Sequence, residues 1–322
     1  MRIAVYHGLP RGGAFHVMAE MVKRLGGAHT VDVYWLCDPG DAALYPALEG
    51  CGRLKRYPFV LTGLGTFFPG SLLYPLHLMR LSRTSRLAAS EIDAAHYDAL
   101  LVFASRHTQA PLLLQYVQTP TVYFCTEPLR VAHEPQDHPA RHHRLRHRLM
   151  LLARRPFLMH LAATEKQLVR RATRVVTHSQ YTADQIRNLF GCKALVVRYG
   201  VDSTKYRCVE GMVRENMVLS VGAVHWWKGH EEVIRSLARM EPGERPHLKI
   251  VGQVGGRREM DVLVDLAKRL EVSLEILYDK VSDEGLVQLY NRAKLLVCLA
   301  HREPFGLTPL ESMACGTPVV AA

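Results

Sequence analysis

Short apolar runs with the pattern of buried strands alternate with helix-length segments along nearly the whole of this 322-residue chain. In the first part of the chain these runs lie at residues 3–7, 31–36, 100–104, 121–125, 174–178 and 194–199. After a polar stretch the pattern restarts, with runs at residues 217–224, 248–251, 274–277, 295–299 and 319–322. Because strands that alternate with helices pair in parallel, this order predicts an α/β fold with two doubly wound, Rossmann-like domains.

The length of the chain also favours two domains, since it is long for a single hydrophobic core. We predict an N-terminal domain at residues 1–200, a linker at 201–216 and a C-terminal domain at 217–322. Two consecutive domains of this type face each other across a cleft between the carboxyl ends of both sheets, where a nucleotide and a second substrate can bind. No helix follows the last apolar run to cover the sheet, so the C-terminal domain is predicted to be incomplete.

The charge balance indicates an acidic partner, because the formal net charge is +11 at pH 7. Nucleotide phosphates, anionic lipid and nucleic acid all fit this charge, and composition does not choose among them. The seven cysteines are scattered without a C-x-x-C pair. This scatter favours a reducing compartment over a disulfide framework or a zinc site.

The start of the chain has a strand pattern at residues 1–6, so we predict no signal peptide and a cytoplasmic location. The longest stretch without charged residues, 58–79, is interrupted by glycines and prolines. Such interruptions argue against a membrane-spanning helix and leave an apolar loop or an interfacial segment as the interpretation.

Two glutamates near the end of the chain, Glu303 and Glu311, bracket the segment that is most informative about chemistry. The apolar run before them, 293–300, has the pattern of a buried parallel strand. Both carboxylates therefore follow the carboxyl end of a strand, where open α/β sheets bind ligands. Two acids at such a place can hold the hydroxyl groups of a ligand.

The same segment has the pattern of a loop that becomes a helix. Thr308 is predicted to cap the helix, Pro309 to occupy its first position and Glu311 to complete a capping box. Gly316 is predicted to end the helix. Glu303 then lies in the loop and Glu311 in the first turn, where the alternative role of Glu311 is that of a helix cap alone.

The segment from Glu303 to Val320 resembles the end motif of the family 4 glycosyltransferases, retaining enzymes of GT-B architecture that move a sugar from a nucleotide donor. Further motifs follow in the family's order, at residues 177–182, 189–191, 198–202, 281–286 and 289–290. The resemblance covers nearly the whole chain. It implies that the two predicted domains are the two halves of a GT-B fold.

The resemblance implies a donor site around the two glutamates. Glu303 would contact the hydroxyl groups of the donor sugar, and Glu311 would hold those of the ribose. Backbone amides at Phe305, Gly306 and Leu307 would approach sugar or phosphate, because amides at the start of a helix attract negative charge. A carboxylate that accepts from two vicinal hydroxyl groups would give the site geometric specificity.

Lys228 is a further part of the implied donor site, since it precedes Gly229 and a helix-like run. The resemblance places its ammonium group on the donor diphosphate, where it would stabilise the charge that grows on the leaving group. The alternative is a solvated surface lysine. Val281 belongs to one of the family motifs and is implied to lie at the same site.

One position departs from the family pattern. Where the family has Gly-Arg shortly before the lysine, this chain has Gly222 and Ala223, so one phosphate-binding arginine is missing. His225, Arg257 and Arg258 are the candidates to replace it. The loss of this arginine would affect the affinity for the donor and the activity of the enzyme.

In the N-terminal domain, Gly12 and Gly13 lie between the first strand and a helix, where glycine lets the backbone approach a phosphate or an acceptor. The loop does not have the G-x-G-x-x-G spacing of a dinucleotide site, and a plain turn is its alternative interpretation. Thr126 occupies a place where the family often has histidine. Glu127 beside it is a candidate base for the acceptor hydroxyl, with a role in loop structure as the alternative.

A basic segment at residues 141–174 has apolar residues between its charges, as expected of an amphipathic helix on an anionic membrane. A solvated helical face is the alternative. We expect no nucleic-acid partner, because no recognised binding motif or series of stacking aromatic residues is present. The nearby histidines fit no standard metal site, and the family typically needs no catalytic metal, so no cofactor is expected. These histidines are His133, His138, His142, His143 and His147.

The leading hypothesis is a cytoplasmic, membrane-associated retaining glycosyltransferase that moves a sugar from a nucleotide sugar to a glycan or a lipid-linked acceptor. Two alternatives stay open on the sequence alone. One is a non-catalytic binding or scaffold protein that keeps the fold, which the missing arginine motivates. The other is a sugar-nucleotide epimerase, although the end motif argues against it.

Overall fold

A computed structural model describes residues 1–10, 12–48, 50–60, 74–133, 145–253, 257–278 and 281–322. Side chains are described over the same ranges apart from 39–40, 42–43, 45, 74, 145–154 and 257. The chain divides into two compact units, Met1–Tyr199 and Gly200–Ala322, named unit 1 and unit 2 below. Each unit contains its own parallel sheet with helices between the strands.

The sheet of unit 1 has the strand order β3-β2-β1-β4-β5-β6-β7, and every neighbouring pair is parallel. Its strands are β1 (Arg2–Gly8), β2 (Thr30–Cys37), β3 (Leu54–Pro58), β4 (Ala99–Ser105), β5 (Thr121–Phe124), β6 (Arg174–Thr177) and β7 (Leu195–Val196). The edge strand β3 was not predicted. Its sequence, Leu-Lys-Arg-Tyr-Pro, lacks the apolar run of a strand that is buried on both faces.

Helices of unit 1 connect these strands and cover both faces of the sheet. They are α1 (Gly13–Gly26), α2 (Tyr74–Ala94), α3 (Arg130–His133), α4 (Leu145–Arg171) and α5 (Gln180–Phe190), with 3-10 helices at Pro39–Leu48 and Leu112–Gln115. The start of α5 is fixed by Ser179, whose Oγ accepts a hydrogen bond from the Thr182 amide. Gly191 in the left-handed conformation ends it.

Two hydrophobic cores lie on the two faces of this sheet. Successive residues of a strand point to opposite faces, and β1 therefore contributes to both cores. Val5 belongs to the buried cluster that contains Phe15 of α1. Tyr6 belongs to the other cluster, with Ala88 of α2 and Val169 of α4.

Unit 2 has a smaller sheet of the same kind, with the strand order β10-β9-β8-β11-β12. Its strands are β8 (Glu215–Val221), β9 (His247–Gly252), β10 (Leu274–Tyr278), β11 (Ala293–Cys298) and β12 (Val319–Ala321). Its helices are α6 (His230–Leu237), α7 (Arg257–Arg269), α8 (Asp283–Arg292) and α9 (Leu307–Ala314). Val218 of β8 packs in the cluster with Val233 of α6, and Leu219 packs in the opposite cluster with Tyr290 of α8.

The prediction of an α/β fold with two parallel sheets is therefore confirmed. In the part of the chain that the structure describes, no helix is long and apolar enough to cross a bilayer. Most of the uncharged stretch 58–79, where a spanning helix was not expected, lies outside the described residues.

Candidate functional site

Lys228 and Glu303 meet at one edge of the unit 2 sheet. Lys228 follows β8 and Glu303 follows β11, and these two strands are neighbours that pair in parallel. Because parallel neighbours have their carboxyl ends at the same edge, the loops after them lie side by side. The Nζ atom of Lys228 lies 2.7 Å from Oε2 of Glu303, with about a quarter of each side chain exposed.

The loop after β8 holds Lys228 in place through close backbone packing. A 3-10 turn at Trp226–Lys228 ends at Gly229, which has a φ of 72°. A Cβ atom on Gly229 would lie 2.1 Å from the carbonyl oxygen of Leu299, so only glycine fits between the two loops. The amide of His301 donates a hydrogen bond of 2.7 Å to the carbonyl of Trp227. These contacts join the β8 loop to the β11 loop directly.

His230, the first residue of α6, anchors the same loop from the inside. Its Nδ1 lies 2.9 Å from the Ser220 hydroxyl oxygen, and its Nε2 lies 3.2 Å from the carbonyl oxygen of Ala223. Burial lowers the pKa of His230 to about 4, so the ring is neutral near pH 7. No role was predicted for His230, because the spacing alone does not show that this side chain points inwards.

The predicted capping box at the start of α9 is wrong. The helix begins at Leu307, and its N-cap is Gly306 with a φ of 85°, so Thr308 does not cap it. Pro309 is the third helical residue, which is tolerated because amides of the first turn have no partner within the helix. Gly306 can adopt the left-handed conformation at little cost, and this allows the helix to start before the threonine.

The end of α9 agrees with the prediction for Gly316. Gly316 has a φ of 71°, and its amide donates to the carbonyl of Met313. The amide of Thr317 donates to the carbonyl of Ser312, which completes a Schellman motif. At its other end, α9 begins in the loop that follows β11, so Phe305, Gly306 and Leu307 lie near the sheet edge that also carries Lys228.

Glu311 lies in the second turn of α9, away from any capping position, so the interpretation of Glu311 as a mere helix cap is also wrong. The Tyr290 hydroxyl donates a hydrogen bond of 2.8 Å to Oε2 of Glu311, and Tyr206 hydrogen-bonds the same carboxyl group. Burial raises the pKa of Glu311, and the two tyrosines oppose that rise. A partly buried carboxylate with two hydroxyl donors is held in one orientation.

Two charged residues act on the Glu311 carboxylate, namely Lys205 and Asp283, the first residue of α8. Lys205 attracts the Glu311 carboxylate and pairs with Asp283, whose Oδ2 lies 2.5 Å from the lysine Nζ. Val281, which precedes the helix, packs against the buried cluster that contains Tyr290. Unit 2 therefore brings the predicted residue Val281 into the neighbourhood of Glu311. Tyr290 lies in one of the family motifs, 289–290, but no role was predicted for it.

The predicted residues Gly12 and Gly13 lie in unit 1, at the carboxyl end of β1. Gly12 has a φ of 155° and is the N-cap of α1, and its carbonyl accepts from the amide of His16. Gly13 is the first residue of the helix. A Cβ atom on Gly12 would meet no atom within 4 Å, so the space beside this backbone is open.

Glu127 follows β5 in unit 1, and its contacts hold its loop. The Glu127 Oε2 atom accepts from Arg130 Nε at 2.7 Å, and its backbone carbonyl accepts from Gln109 Nε2 at 2.9 Å. These bonds fit the role in loop structure that was the alternative. A role of Glu127 as a base towards an acceptor stays a prediction.

Comparison with known protein families gives matches over nearly the whole chain. The family model for Glycosyltransferase Family 4 matches residues 11–205, and the model for Glycosyl transferases group 1 matches residues 203–322. The chain belongs to glycosyltransferase family 4. This confirms the family that the motifs indicated.

Curated relatives of this family 4 chain include the D-inositol 3-phosphate glycosyltransferase of Actinosynnema mirum, which is 34% identical over 178 residues. That match covers 49% of the present chain and 43% of the relative. The chain therefore spans less than half the length of the curated relative that it matches.

Solved structures confirm the predicted fold. Sucrose-phosphate synthase from Thermosynechococcus elongatus matches with a TM-score of 0.71 at 18% identity, over 99% of this chain and 80% of that one. HepE from Anabaena, in complex with UDP and glucose, also has a TM-score of 0.71, at 19% identity, over 100% of this chain and 80% of that one. At these identities the likeness concerns the fold alone.

The departure from the family motif lies at Ala223, directly beside the lysine loop. The Ala223 carbonyl accepts from His230 and from the amide of His225, so the backbone of this position is part of the loop's structure. His225 stacks on Trp227 and lies 3.3 Å from Glu259. Of the other candidates for the missing cation, Arg258 is exposed, and the side chain of Arg257 is outside the described part.

Metal ligands do not cluster in the described residues, where no group of three or more His, Cys, Asp and Glu side chains could hold an ion. His133 lies 2.8 Å from the buried carboxylate of Glu165. His138, His142 and His143 lie outside the described residues, as does the side chain of His147.

Proposed function

We propose that this chain is the sugar-transferring part of a retaining glycosyltransferase and that unit 2 binds a nucleotide-sugar donor. The observation that carries the proposal is the 2.7 Å contact between Lys228 and Glu303 at the carboxyl edge of the sheet. A cation and a carboxylate side by side match the two parts of such a donor, whose diphosphate is negative and whose sugar offers hydroxyl groups.

In the proposed reaction the bond between the anomeric carbon and the diphosphate oxygen breaks, and a bond from that carbon to the acceptor oxygen forms on the same face. The proton of the acceptor hydroxyl moves to the leaving phosphate. Negative charge grows on the diphosphate as the bond breaks, so the Lys228 ammonium and the amides at the start of α9 stabilise the transition state more than the ground state. Glu303 orients the sugar by accepting from its hydroxyl groups.

Glu311 is proposed to hold the ribose of the donor. Its carboxylate is oriented by Tyr290 and Tyr206 and lies on the same helix whose start follows Glu303. Glu303 lies before the start of α9, and Glu311 lies in its second turn. Two carboxylates on either side of the helix start suit a ligand with hydroxyl groups at both ends and phosphates between them. A pre-oriented carboxylate binds such hydroxyl groups without further loss of side-chain freedom.

UDP-glucose is the first donor to test, because HepE, which shares the fold, was solved with UDP and glucose. Titration calorimetry would measure donor binding, and product analysis would measure hydrolysis and transfer. We expect Glu303→Ala to lower kcat by about 10²-fold or more while UDP still binds, because Glu303 contacts the sugar alone. Glu275→Ala, which removes another ion-paired carboxylate of unit 2, is the control.

Unchanged turnover of Glu303→Ala would overturn the assignment. Failure to bind any UDP, GDP or ADP sugar at millimolar concentration would remove the basis for an enzyme. Donor binding with neither hydrolysis nor transfer would favour the non-catalytic alternative, which the missing arginine at Ala223 supports. Isomerised donor without acceptor consumption would favour an epimerase.

The acceptor is proposed to be a glycan or a lipid-linked molecule, reached from the inner face of a membrane in the cytoplasm. The support is the basic segment 141–174, most of whose described residues lie in α4. Residues 141–144 and the side chains of 145–154 are outside the described part. Sedimentation with vesicles tests this association: the protein should pellet with anionic vesicles at low salt and be released by high salt.

A further inference from the structure

Two free cysteines of unit 2, Cys208 and Cys315, lie together although they are far apart along the chain. Cys315 follows α9 directly and is fully buried, whereas Cys208 lies in an exposed stretch before β8. A Cβ atom on Gly316 would lie 2.6 Å from the Cys208 sulfur. Because consecutive Cα atoms are only about 3.8 Å apart, this contact also brings the Cys208 sulfur within reach of Cys315.

Residues 205–209, named the strap below, run along one face of α9. Tyr206 hydrogen-bonds the Glu311 carboxyl group, and the next backbone amide, that of Arg207, hydrogen-bonds the Cys315 sulfur. Glu311 and Cys315 are four residues apart, a spacing that puts two side chains on the same side of a helix. The strap therefore contacts the proposed ribose residue and the buried cysteine with neighbouring residues.

The backbone of Cys208 is fixed by Asn291 of α8, which is 5% exposed. Asn291 Oδ1 accepts a hydrogen bond of 2.8 Å from the Val209 amide, and its Nδ2 donates one of 3.0 Å to the Arg207 carbonyl. These two bonds lie on either side of Cys208 in the strap. They hold its backbone against unit 2 even though the residue itself is exposed.

The backbone that follows Cys315 is fixed by Arg214. Its Nη2 donates a hydrogen bond of 2.7 Å to the Gly316 carbonyl, and its Nη1 donates one of 2.5 Å to the Thr317 hydroxyl oxygen. The two cysteines thus lie on backbones that are each anchored to the body of unit 2. A disulfide demands specific geometry between its two residues, and anchored backbones keep the sulfurs close at all times.

The two thiols differ in exposure and in acidity. Burial raises the pKa of Cys315 to about 11, and the neighbouring Cys208 adds to the rise. Because the thiolate is the reactive form, Cys315 is a poor first target for an oxidant. Cys208 is exposed and meets an oxidant in solution first. An accessible thiol with a second thiol beside it is typical of cysteines that respond to oxidation.

We infer that Cys208 and Cys315 form a reversible disulfide when the protein meets a peroxide. The Cys208 sulfur attacks one peroxide oxygen, the O–O bond breaks, and a sulfenic acid forms as one water leaves. The Cys315 sulfur then attacks the Cys208 sulfur, so that an S–S bond forms, the S–O bond breaks and a second water leaves. The two thiols lose two electrons, which the peroxide takes up. A dithiol reductant reverses the reaction by exchange.

The disulfide changes the proposed ribose site through the strap. It brings the two sulfur atoms to about 2.05 Å, closer than any non-bonded contact, and so draws the strap towards the end of α9. Tyr206 lies two residues before Cys208 on this strap, and the movement weakens its hydrogen bond to Glu311. This consequence rests on the proposed function of Glu311, whereas the disulfide itself does not.

Peptide mapping without reduction tests the disulfide directly. The protein is treated with hydrogen peroxide, the remaining thiols are blocked, and the chain is digested with trypsin. In monomeric protein, the peptide that begins at Cys208 should be joined to the one that begins at Glu303 and contains Cys315. Dithiothreitol should separate them. Sulfinic or sulfonic acid at Cys208 without joined peptides would overturn the inference, as would joined peptides in covalent dimers alone.

Cys208→Ser and Cys298→Ser are the matched variants, since Cys298 is another free cysteine of unit 2 and is partly buried. Cys208→Ser changes an exposed residue and should fold normally, but it should form no joined peptides. Cys298→Ser should form them as the wild type does. Loss of the joined peptides in Cys298→Ser, or their persistence with another cysteine in Cys208→Ser, would contradict the assigned pair.

Calorimetry with UDP separates the disulfide from its effect on the donor site. The oxidised wild type should bind UDP about tenfold more weakly than the reduced protein, and dithiothreitol should restore the affinity. Cys208→Ser should bind UDP equally before and after peroxide. Equal affinity of the two wild-type forms, with the joined peptides present, would overturn the link to the ribose site. If the reduced protein binds no UDP, the proposed function fails, and peptide mapping still decides whether the disulfide forms.

Discussion

The Nζ atom of Lys228 lies 2.7 Å from Oε2 of Glu303, although the two residues are separated by most of unit 2 along the chain. About a quarter of each side chain is exposed, and an ion pair with this exposure contributes at most about 1 kcal/mol to stability. The pair is thus weak enough for a donor to replace it. In the proposed complex the ammonium turns to phosphate and the carboxylate to sugar hydroxyl groups.

Lys228→Ala should therefore impair catalysis far more than folding. We expect kcat to fall by about 10²- to 10³-fold, the usual effect of removing one group that stabilises transition-state charge. Lys249→Ala is the matched control, because Lys249 also forms an ion pair in unit 2, with Glu275 at 2.9 Å. Steady-state kinetics with UDP-glucose would measure both variants. Similar losses in the two variants would contradict a specific role for Lys228.

Glu311 should make stability depend on pH in a direction opposite to that of most carboxylates. Burial raises its pKa in the folded state, so the folded chain binds a proton more tightly than the unfolded chain. The free energy of unfolding therefore falls as pH rises from the unfolded pKa, about 4.3, through the folded pKa. Glu311→Gln removes this loss, so its stability relative to the wild type should increase from about pH 4 to pH 7.

Glu275→Gln provides a control of opposite sign. A hydrogen bond from Lys249 lowers the pKa of Glu275, so this carboxylate stabilises the fold above its unfolded pKa and loses that effect as pH falls. The variant should be slightly less stable than the wild type near pH 7 and should match it in acid. The effect is small because Glu275 is 44% exposed. Urea unfolding at several pH values would measure both variants, and parallel curves for Glu311→Gln and wild type would refute the prediction.

Gly229→Ala should disrupt the loop that carries Lys228. The added Cβ would lie 2.1 Å from the Leu299 carbonyl oxygen, and alanine is also strained at a φ of 72°. We expect a loss of about 2 kcal/mol or more in the free energy of unfolding, together with weaker donor binding. Gly243→Ala is the control, since its Cβ would meet nothing within 4 Å. Thermal unfolding with and without UDP would measure both the stability and the donor binding of the two variants. A Gly229→Ala variant with unaltered stability and UDP binding would disprove the prediction.

The strands and the sheet edge that carries the proposed donor site could be predicted from the sequence because both depend on local patterns. Apolar runs mark buried parallel strands, and residues that follow neighbouring strands lie together at one sheet edge. That rule was sufficient to place Lys228 near Glu303. The edge strand β3 was missed because its charged residues Lys55 and Arg56 hide the pattern.

The remaining features depend on contacts between distant segments, which spacing does not encode. The start of α9 was predicted two residues late because Gly306 can adopt a left-handed conformation that the capping pattern does not consider. The pairing of Glu311 with Tyr290 depends on how α8 packs against α9. The anchoring of the lysine loop by His230 depends on burial of its ring, as does its lowered pKa.

Tyr290→Phe tests the proposed ribose site through the contact that orients it. The variant removes the hydroxyl that donates to Glu311 at 2.8 Å, and a hydrogen bond to a charged group contributes about 1.5–3 kcal/mol. If Glu311 holds the ribose equally in the ground and transition states, KM for the donor should rise about tenfold or more while kcat changes little. Tyr278→Phe, at a half-exposed tyrosine of β10, is the control. A fall in kcat with KM unchanged would mean that Glu311 acts on the reacting sugar instead of the ribose.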